Sequence, residues 1–161
     1  MRSQSAVNHI EVRRRSLQAN RLTLLYTIVA LLALVGLVDA LYLTVQHLKG
    51  RSARCTVATG CSEVLGSAYA SFSGMPIAAF GALAYFTVFS LATLLVFGYS
   101  GVRIALMFVV AAMFATTLWL LYVQAFVLRA FCDYCLLSAA FTLTLATLIV
   151  VERFESRSRK Q

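Results

Sequence analysis

The sequence predicts an all-α membrane protein, a four-transmembrane-helix bundle with a short amphipathic helix in its first extracytoplasmic loop. Three observations predict it. Of 161 residues, 61% are hydrophobic and 12% charged, whereas soluble domains are about 45–50% apolar. The apolar residues fall into four runs, each near or above the ~20 residues that cross ~30 Å of hydrocarbon. The basic residues gather at the two ends of the chain. With one proline and so much apolar sequence, there is room for a single small membrane domain.

The first element is a basic tail over residues 1–21, followed by an apolar run over 22–48. Val38-Asp39-Ala40 loosely fits a small-x-small cleavage site, but apolar character continues through Leu41-Tyr42-Leu43-Thr44-Val45. The run is therefore expected to be an uncleaved span. Residues 49–76 form the long polar connection. A loop of this length without structure of its own is unusual, and Ser62 to Phe72 offers a helix. Ser62 is the expected N-cap, and Glu63 falls in the first turn. Val64, Leu65, Ala68, Tyr69 and Phe72 then share one face, as in a helix lying on a membrane surface. Pro76 suits the first turn of the second span, over 77–97. Gly98-Tyr99-Ser100-Gly101 is a tight turn, and the third span covers 102–128. The fourth span, over 134–151, follows after almost no loop, and residues 152–161 form a second basic tail.

The formal charge of +8 does not indicate a nucleic-acid surface, because no aromatic residues alternate with the basic ones. Its distribution sets an orientation instead. Placing both termini in the cytoplasm puts ten basic residues inside and four outside, namely Lys49, Arg51, Arg54 and Arg129. All four cysteines then lie outside the cytoplasm, in a compartment that permits disulfides.

Those cysteines form two pairs. Cys132 and Cys135 stand three apart at the start of a helix. One turn brings such side chains onto the same face, within the ~4.4–6.8 Å Cα separation that a disulfide requires. The helix N-terminus favours a thiolate, and Arg129 adds to this, while Asp133 and apolar surroundings oppose it. Cys55 and Cys61 flank five small residues including Gly60, so this pair can close a short disulfide loop or open and swing. A mobile outer pair suits exchange with a soluble thiol protein, passing electrons on to the fixed pair. Spacing alone leaves rivals. Four cysteines can form two static disulfides or a zinc site, giving a structural or metal-binding membrane protein whose cysteines never cycle. A metal-ion carrier is disfavoured, since no cysteine pair falls inside a span.

Further motifs carry a family resemblance. Cys61-Ser62-Glu63-Val64-Leu65-Gly66-Ser67, then Gly74-Met75-Pro76, Gly81 and Tyr85, resemble the bacterial branch of the vitamin K epoxide reductase family. That branch shows Cys-x-x-Val-x-x-Ser followed by Gly-Ile-Pro. Asp39-Ala40-Leu41-Tyr42-Leu43-Thr44 resembles the end of the family's first span, and Cys132-Asp133-Tyr134-Cys135 its active-site motif. The similarity covers roughly residues 36–145. It implies a four-helix bundle around a membrane quinone, ubiquinone or menaquinone. In the family, a thioredoxin-fold protein feeds electrons to the loop pair, and the quinone takes them from the Cys-x-x-Cys. Carried over, Cys135 is the thiol nearest the quinone, and Cys132 exchanges with Cys55 or Cys61. Ser67 is implied to hold the loop over the site. Many bacterial relatives carry a fused thioredoxin domain after the fourth span. Here Glu152 to Gln161 follow instead, so a separate DsbA-like partner is expected. Where animal members carry an Asn and a Tyr that can bond a quinone or an epoxide, this chain has Ile77 and Ala139. Plain quinone reduction is the expected activity. The DsbB type of quinone enzyme also pairs four cysteines on four spans, but its Cys-x-x-Cys lies in the first outer loop.

Asp39, Tyr42 and Gln46 follow one helical stripe. A carboxylate in an apolar span is costly and usually functional, so Asp39 is a candidate proton relay beside the quinone; the rival is a stripe facing the water interface. Trp119, Tyr122 and Phe126 share a face of the third span, where Trp119 and Tyr122 are expected to line the quinone ring. An interfacial aromatic belt would show the same spacing. Phe80 and Phe114 read as packing, His9 and His47 as unpartnered, and Ser138, Ala139, Ala140 and Thr142 as close helix contacts.

Overall fold

The structure is a computed structural model that describes residues 2–49, 60–72 and 74–158. Cys55 lies outside the described residues. Helix α1 covers Arg2–Leu48, α2 Cys61–Gly66, α3 Ile77–Val96, α4 Arg103–Tyr122 and α5 Asp133–Ser158. Two-residue strands β1 (Ser71–Phe72) and β2 (Met75–Pro76) pair antiparallel around Gly74. Four segments are long and apolar enough to cross a membrane: Ala19–Leu48, Ile77–Val96, Ser100–Leu128 and Asp133–Phe154. They match the four predicted spans to within a few residues.

The long helices close a ring in which α1 neighbours α3, α3 neighbours α4, α4 neighbours α5 and α5 returns to α1. Helix α1 packs most extensively on α3, and the reason is residue size. Its buried stripe is Tyr26, Val29, Ala30, Ala33, Gly36, Ala40 and Leu43, and it meets Ala82, Tyr85, Val88 and Ala92 of α3. Small residues let two backbones approach closely without a driving force from water. Gly36 is the tightest case. A Cβ there would sit 2.5–2.8 Å from the Tyr85 ring, so Gly36 is the slot into which Tyr85 is pressed. The opposite faces are apolar too: Leu24, Leu31, Val38, Phe86, Phe108 and Phe154 are exposed, as expected of helices that meet lipid on one side and one another on the other.

One helix runs on past its predicted span, and one predicted helix end is corrected. The segment expected to be tail from residue 152 is still helix, and Glu152 is buried, with Oε1 3.3 Å from Arg103 Nη2. The ion pair offsets part of the cost of placing a carboxylate there. The predicted Ser62–Phe72 helix stops at Gly66. Gly60, not Ser62, is the N-cap residue. At the other end Ser67 turns extended, and its hydroxyl donates to Val64 O at 2.7 Å. A glycine followed by a serine that satisfies the last turn ends the helix. A short 3₁₀ turn, Ala68–Ala70, leads into β1, which leaves Tyr69 exposed rather than on a continuous apolar face.

Candidate active site

Helix α4 does not end as an α-helix. It widens into a six-residue π-helix, Val123–Leu128, and stops at Arg129, whose φ of 50° and ψ of 32° are left-handed. Ala130 N donates to Gln124 O at 3.2 Å across that turn. Such π segments gather at functional positions. This one brings the chain back so that Ala130 and Cys132 are buried against Cys61 and Val64 of α2. The Cys-x-x-Val-x-x-Ser motif thereby acquires a physical meaning: Val64 anchors α2 in this cluster, and Ser67 seals the helix end.

Gly60 sets how closely the two segments meet. A Cβ on it would lie 2.8 Å from Ala130 Cβ and 2.9 Å from both N and O of Phe131. The glycine expected to supply flexibility is instead required for contact, because backbone atoms cannot yield as a side-chain tip can. Gly60→Ala is therefore expected to push α2 off the Ala130–Cys132 segment. Internal thiol–disulfide exchange should slow by about tenfold or more with all four cysteines present, measured by rapid acid quench and alkylation.

Cys61 is disulfide-bonded, whereas Cys132 and Cys135 are free thiols. Cys132 is fully buried, and its Sγ lies 3.6 Å from Cys61 Sγ. A disulfide sulfur carries no proton, so the Cys132 thiol is the donor in this contact. The separation is just beyond the ~3–3.5 Å range of near-attack geometry. Cys61 is thus placed against Cys132.

Cys132 occupies the N-cap position of α5. Its carbonyl accepts from Leu136 N at 3.0 Å, closing the first turn, and Cys135 falls within that turn. The Cys132 thiol is lowered from its ordinary value of 9.0 to about 7, chiefly by the hydrogen bond from the Cys135 thiol. The backbone N–H groups of Cys135 and Tyr134 act in the same direction, while burial and Asp133 act against it. This is a helix N-terminus stabilising a thiolate. Deprotonation makes the nucleophile, so attack of Cys132 on the Cys61 disulfide is expected to accelerate as pH rises, with a midpoint near about 7, and to level off above it. In Cys135→Ala, which loses the principal donor, the midpoint should move upward. Rapid-quench rates across pH check both.

Behind the cysteines lies a cavity of about 380 Å³ with mostly apolar walls. Cys135 is in its wall, together with Leu120 and Leu121 of α4, Ala139 of α5, and Ile77 and Gly81 of α3. Ile77 and Ala139 are the two positions where animal relatives were expected to carry polar groups. The loop side is closed by Val64, Leu65, Ser67 and Tyr69. Asp39 is in the wall, and its Oδ2 is buried without a hydrogen-bond partner among the described residues. The rest of its stripe diverges: Gln46 Nε2 donates to Tyr42 OH at 3.0 Å, and the Tyr42 ring meets Tyr134 at 5.2 Å.

Trp119 and Tyr122 do not line the cavity. They are 59% and 52% exposed and run with Phe126 along the outer face, ring centres 6.2 and 5.0 Å apart. The spacing correctly put them on one face, but that face points away from the bundle. Helical spacing alone cannot choose between the two sides of an all-apolar helix. The cavity instead uses residues that sequence reasoning set aside. His47 and Phe80 line it. Tyr85, part of the motif that resembles the family, also lines it, and its hydroxyl lies 2.9 Å from Ser138 O, 3.0 Å from Ser138 Oγ and 3.1 Å from Thr142 Oγ1. Gln124 had no signal in the sequence at all, being a single amide within Tyr122-Val123-Gln124-Ala125-Phe126.

The four-span helical fold agrees with comparison against known families. A family model, described as the vitamin K epoxide reductase family, matches residues 27–150, which is well over half of the chain and takes in every element from the first span to the last. This four-helix membrane protein belongs to the vitamin K epoxide reductase family.

Proposed function

We propose that this chain is a quinone-dependent thiol oxidoreductase that reoxidises a separate, DsbA-like thioredoxin-fold protein outside the cytoplasm. One observation carries the reading. An oxidised Cys61, a Cys132 thiol 3.6 Å away and a Cys135 in the wall of an apolar cavity form a continuous line of sulfur. Membership of a family of thiol oxidoreductases linked to quinones supports it, and so does the bias of basic residues toward the two termini.

The chain's own part consists of two exchanges. The partner's dithiol reduces a disulfide between Cys55 and Cys61, giving two thiols here and a disulfide in the partner. Cys61 thiolate then attacks Cys132 of a closed Cys132–Cys135 disulfide. A Cys61–Cys132 bond forms, and Cys135 leaves as a thiolate. Cys55 attacks Cys61 in turn, restoring the loop disulfide and releasing Cys132. A thiol held near about 7 is a good leaving group, which helps this last exchange run forward. Oxidised Cys61 beside free Cys132 and Cys135 is the arrangement expected at this point. A quinone bound in the cavity would supply the sink, taking two electrons and two protons as the dithiol closes to a disulfide. The mostly apolar walls suit such a ring. Asp39 Oδ2 is the candidate acceptor for the Cys135 proton, since it is buried, unpaired and in the same wall. With Ile77 and Ala139 in place of polar groups, the site favours quinone reduction over epoxide reduction. The net direction needs a quinone pool more oxidising than the partner, roughly −120 mV for DsbA-type dithiols.

The test is anaerobic. The fully reduced protein in detergent is mixed with a ubiquinone or menaquinone analogue, and thiols and quinol are counted together. Free thiols should fall from four toward none, with one quinol formed per two thiols lost. Thiols that ignore every quinone, in a protein whose native disulfides stay fixed, would support the rival reading of static cysteines.

A further inference from the structure

Three polar side chains are deeply buried among the described residues: Gln124, Thr142 and Glu152. Thr142 is bonded to Tyr85 and Ser138, and Glu152 faces Arg103. Gln124 is different, because only half of its carboxamide is used. Gln124 Oε1 accepts from Cys132 N at 3.3 Å. Because a backbone N–H can only donate, this contact fixes which end of the amide is oxygen. No hydrogen bond from the NH₂ end is found among the described residues, and although the side chain is only 3% exposed, Nε2 is not one of the fully enclosed unpaired polar atoms. Gln124 lies in the wall of the cavity that also contains Cys135.

The local backbone explains how a glutamine comes to be there. Helix α4 buries little of its length, chiefly Leu106 and Val110. Its π-helical end then buries Val123 and Gln124 together. The Gln124 carbonyl is spent on Ala130 N and the side-chain oxygen on Cys132 N, so one residue holds both ends of the segment leading to the nucleophile. What remains is a donor directed at neither.

We propose that the Gln124 Nε2 group donates a hydrogen bond to a carbonyl oxygen of the quinone, and that the same amide thereby links the bound ring to the Cys132 peptide. The inference rests on the quinone reading above and adds to it the polar group that orients the ring in an otherwise apolar wall. The Cys132 N–H, the amide and the quinone carbonyl would form a chain with every donor pointing the same way, an arrangement in which each bond polarises the next. A quinone oxygen gains negative charge as electrons arrive, so a donor fixed in advance stabilises the charged state more than the starting one. No proton or electron passes through Gln124 in this role. The protons of the quinol come from the two thiols.

Two substitutions separate the roles. Gln124→Glu keeps the shape and an oxygen for Cys132 N–H but replaces the donor. Gln124→Leu removes both functions. Each is made in the full chain, with thermal unfolding and the pH midpoint of the Cys132–Cys61 exchange as controls for fold and for the Cys132 contact. The first readout is spectroscopic: infrared difference spectra of isotope-labelled ubiquinone or menaquinone bound to a Cys135→Ala background, where no turnover occurs. A donated bond lowers the carbonyl stretch of one quinone oxygen. Wild-type Gln124 should show that lowered band, and both variants should lose it. Quinone affinity should weaken about three- to tenfold, the loss expected of one net hydrogen bond, and kcat should fall about tenfold or more because the donor is worth more to the charged state. In Gln124→Glu the band and the affinity should return as pH falls and the carboxyl becomes protonated and able to donate. An unfolded Gln124→Leu leaves the isosteric Gln124→Glu to decide.

Identical carbonyl bands and affinities in wild type, Gln124→Glu and Gln124→Leu would overturn the inference while leaving the quinone reading intact. A wild-type protein that binds no quinone and loses no thiols to one would overturn that reading first. A lower turnover with unchanged carbonyl bands, accompanied by a shifted Cys132 midpoint, would assign Gln124 to holding the Cys132 peptide alone and would also reject the donor role.

Discussion

Cys135→Ala is expected to abolish quinone-dependent thiol oxidation while leaving exchange between Cys61 and Cys132 in operation. Cys135 is the cysteine in the cavity wall, and Cys132, fully buried against α2, is not. Removing the sulfur that faces the cavity removes the one thiol among the described residues that lines it. Loss of a nucleophile typically costs about 10³-fold or more, against about tenfold for a supporting contact. In the variant the Cys132 thiolate should still attack the Cys55–Cys61 disulfide, forming a Cys61–Cys132 bond and releasing the Cys55 thiol, and a soluble dithiol should still reduce that bond, since the 3.6 Å approach of Cys61 and Cys132 does not depend on Cys135. Quinol formation and alkylation mapping, followed on the same sample, check both halves. A variant that still reduces quinone at near wild-type rate would place the terminal sulfur elsewhere.

Cys61→Ser is expected to give the complementary defect. Electron delivery from a soluble dithiol to the Cys132–Cys135 pair should fall by about 10³-fold or more. A preparation reduced beforehand with a small membrane-permeant dithiol should then oxidise its Cys132 and Cys135 with quinone at close to the wild-type rate. The reason is spatial: Cys61 is packed in the cluster with Val64, Ala130 and Cys132, on the far side of the sulfur line from the cavity. Single-turnover quinol formation separates the two stages. Equal loss in both would indicate that α2 supports the cavity itself and not only the relay.

Much of this organisation is legible in the sequence because a bilayer imposes simple rules. A span must be about 20 apolar residues long, so Ile77 and Asp133 could be placed at helix starts within a residue or two. A Cys-x-x-Cys at such a start is necessarily on one helical face and beside unpaired N–H groups. The carboxylate of Asp39 was conspicuous because its burial in an apolar span is expensive, and it does line the cavity. Other features depend on what the rest of the chain does and leave no local trace. The π-helix at Val123–Leu128 reads as a continuation of α4, since its residues are ordinary apolar ones and Gln124 is the lone exception. Gly60 resembled a flexible loop glycine until Ala130 and Phe131 were seen against it. The direction of Trp119 and Tyr122 could not be read because both sides of α4 are apolar. Gly66 and Ser67 carried a stop signal for α2, but the apolar spacing beyond them, through Ala68 and Tyr69, outweighed it in the sequence reading. That Cys61 faces Cys132 is a tertiary property, set by Val64 anchoring α2 beside Ala130 and Cys132.

The central claim is that electrons cross from the loop to the Cys-x-x-Cys through the Cys61–Cys132 contact. It is tested most directly by trapping that bond. In the Cys55→Ser/Cys135→Ser variant neither sulfur that resolves the intermediate is present. Mild oxidation of the membrane-embedded protein followed by peptide mapping should show one intramolecular disulfide, Cys61–Cys132, formed at close to one per chain. If Cys61 and Cys132 instead remain free, or join only to cysteines of other molecules, the two sulfurs do not meet in the working protein and the proposed electron path is wrong.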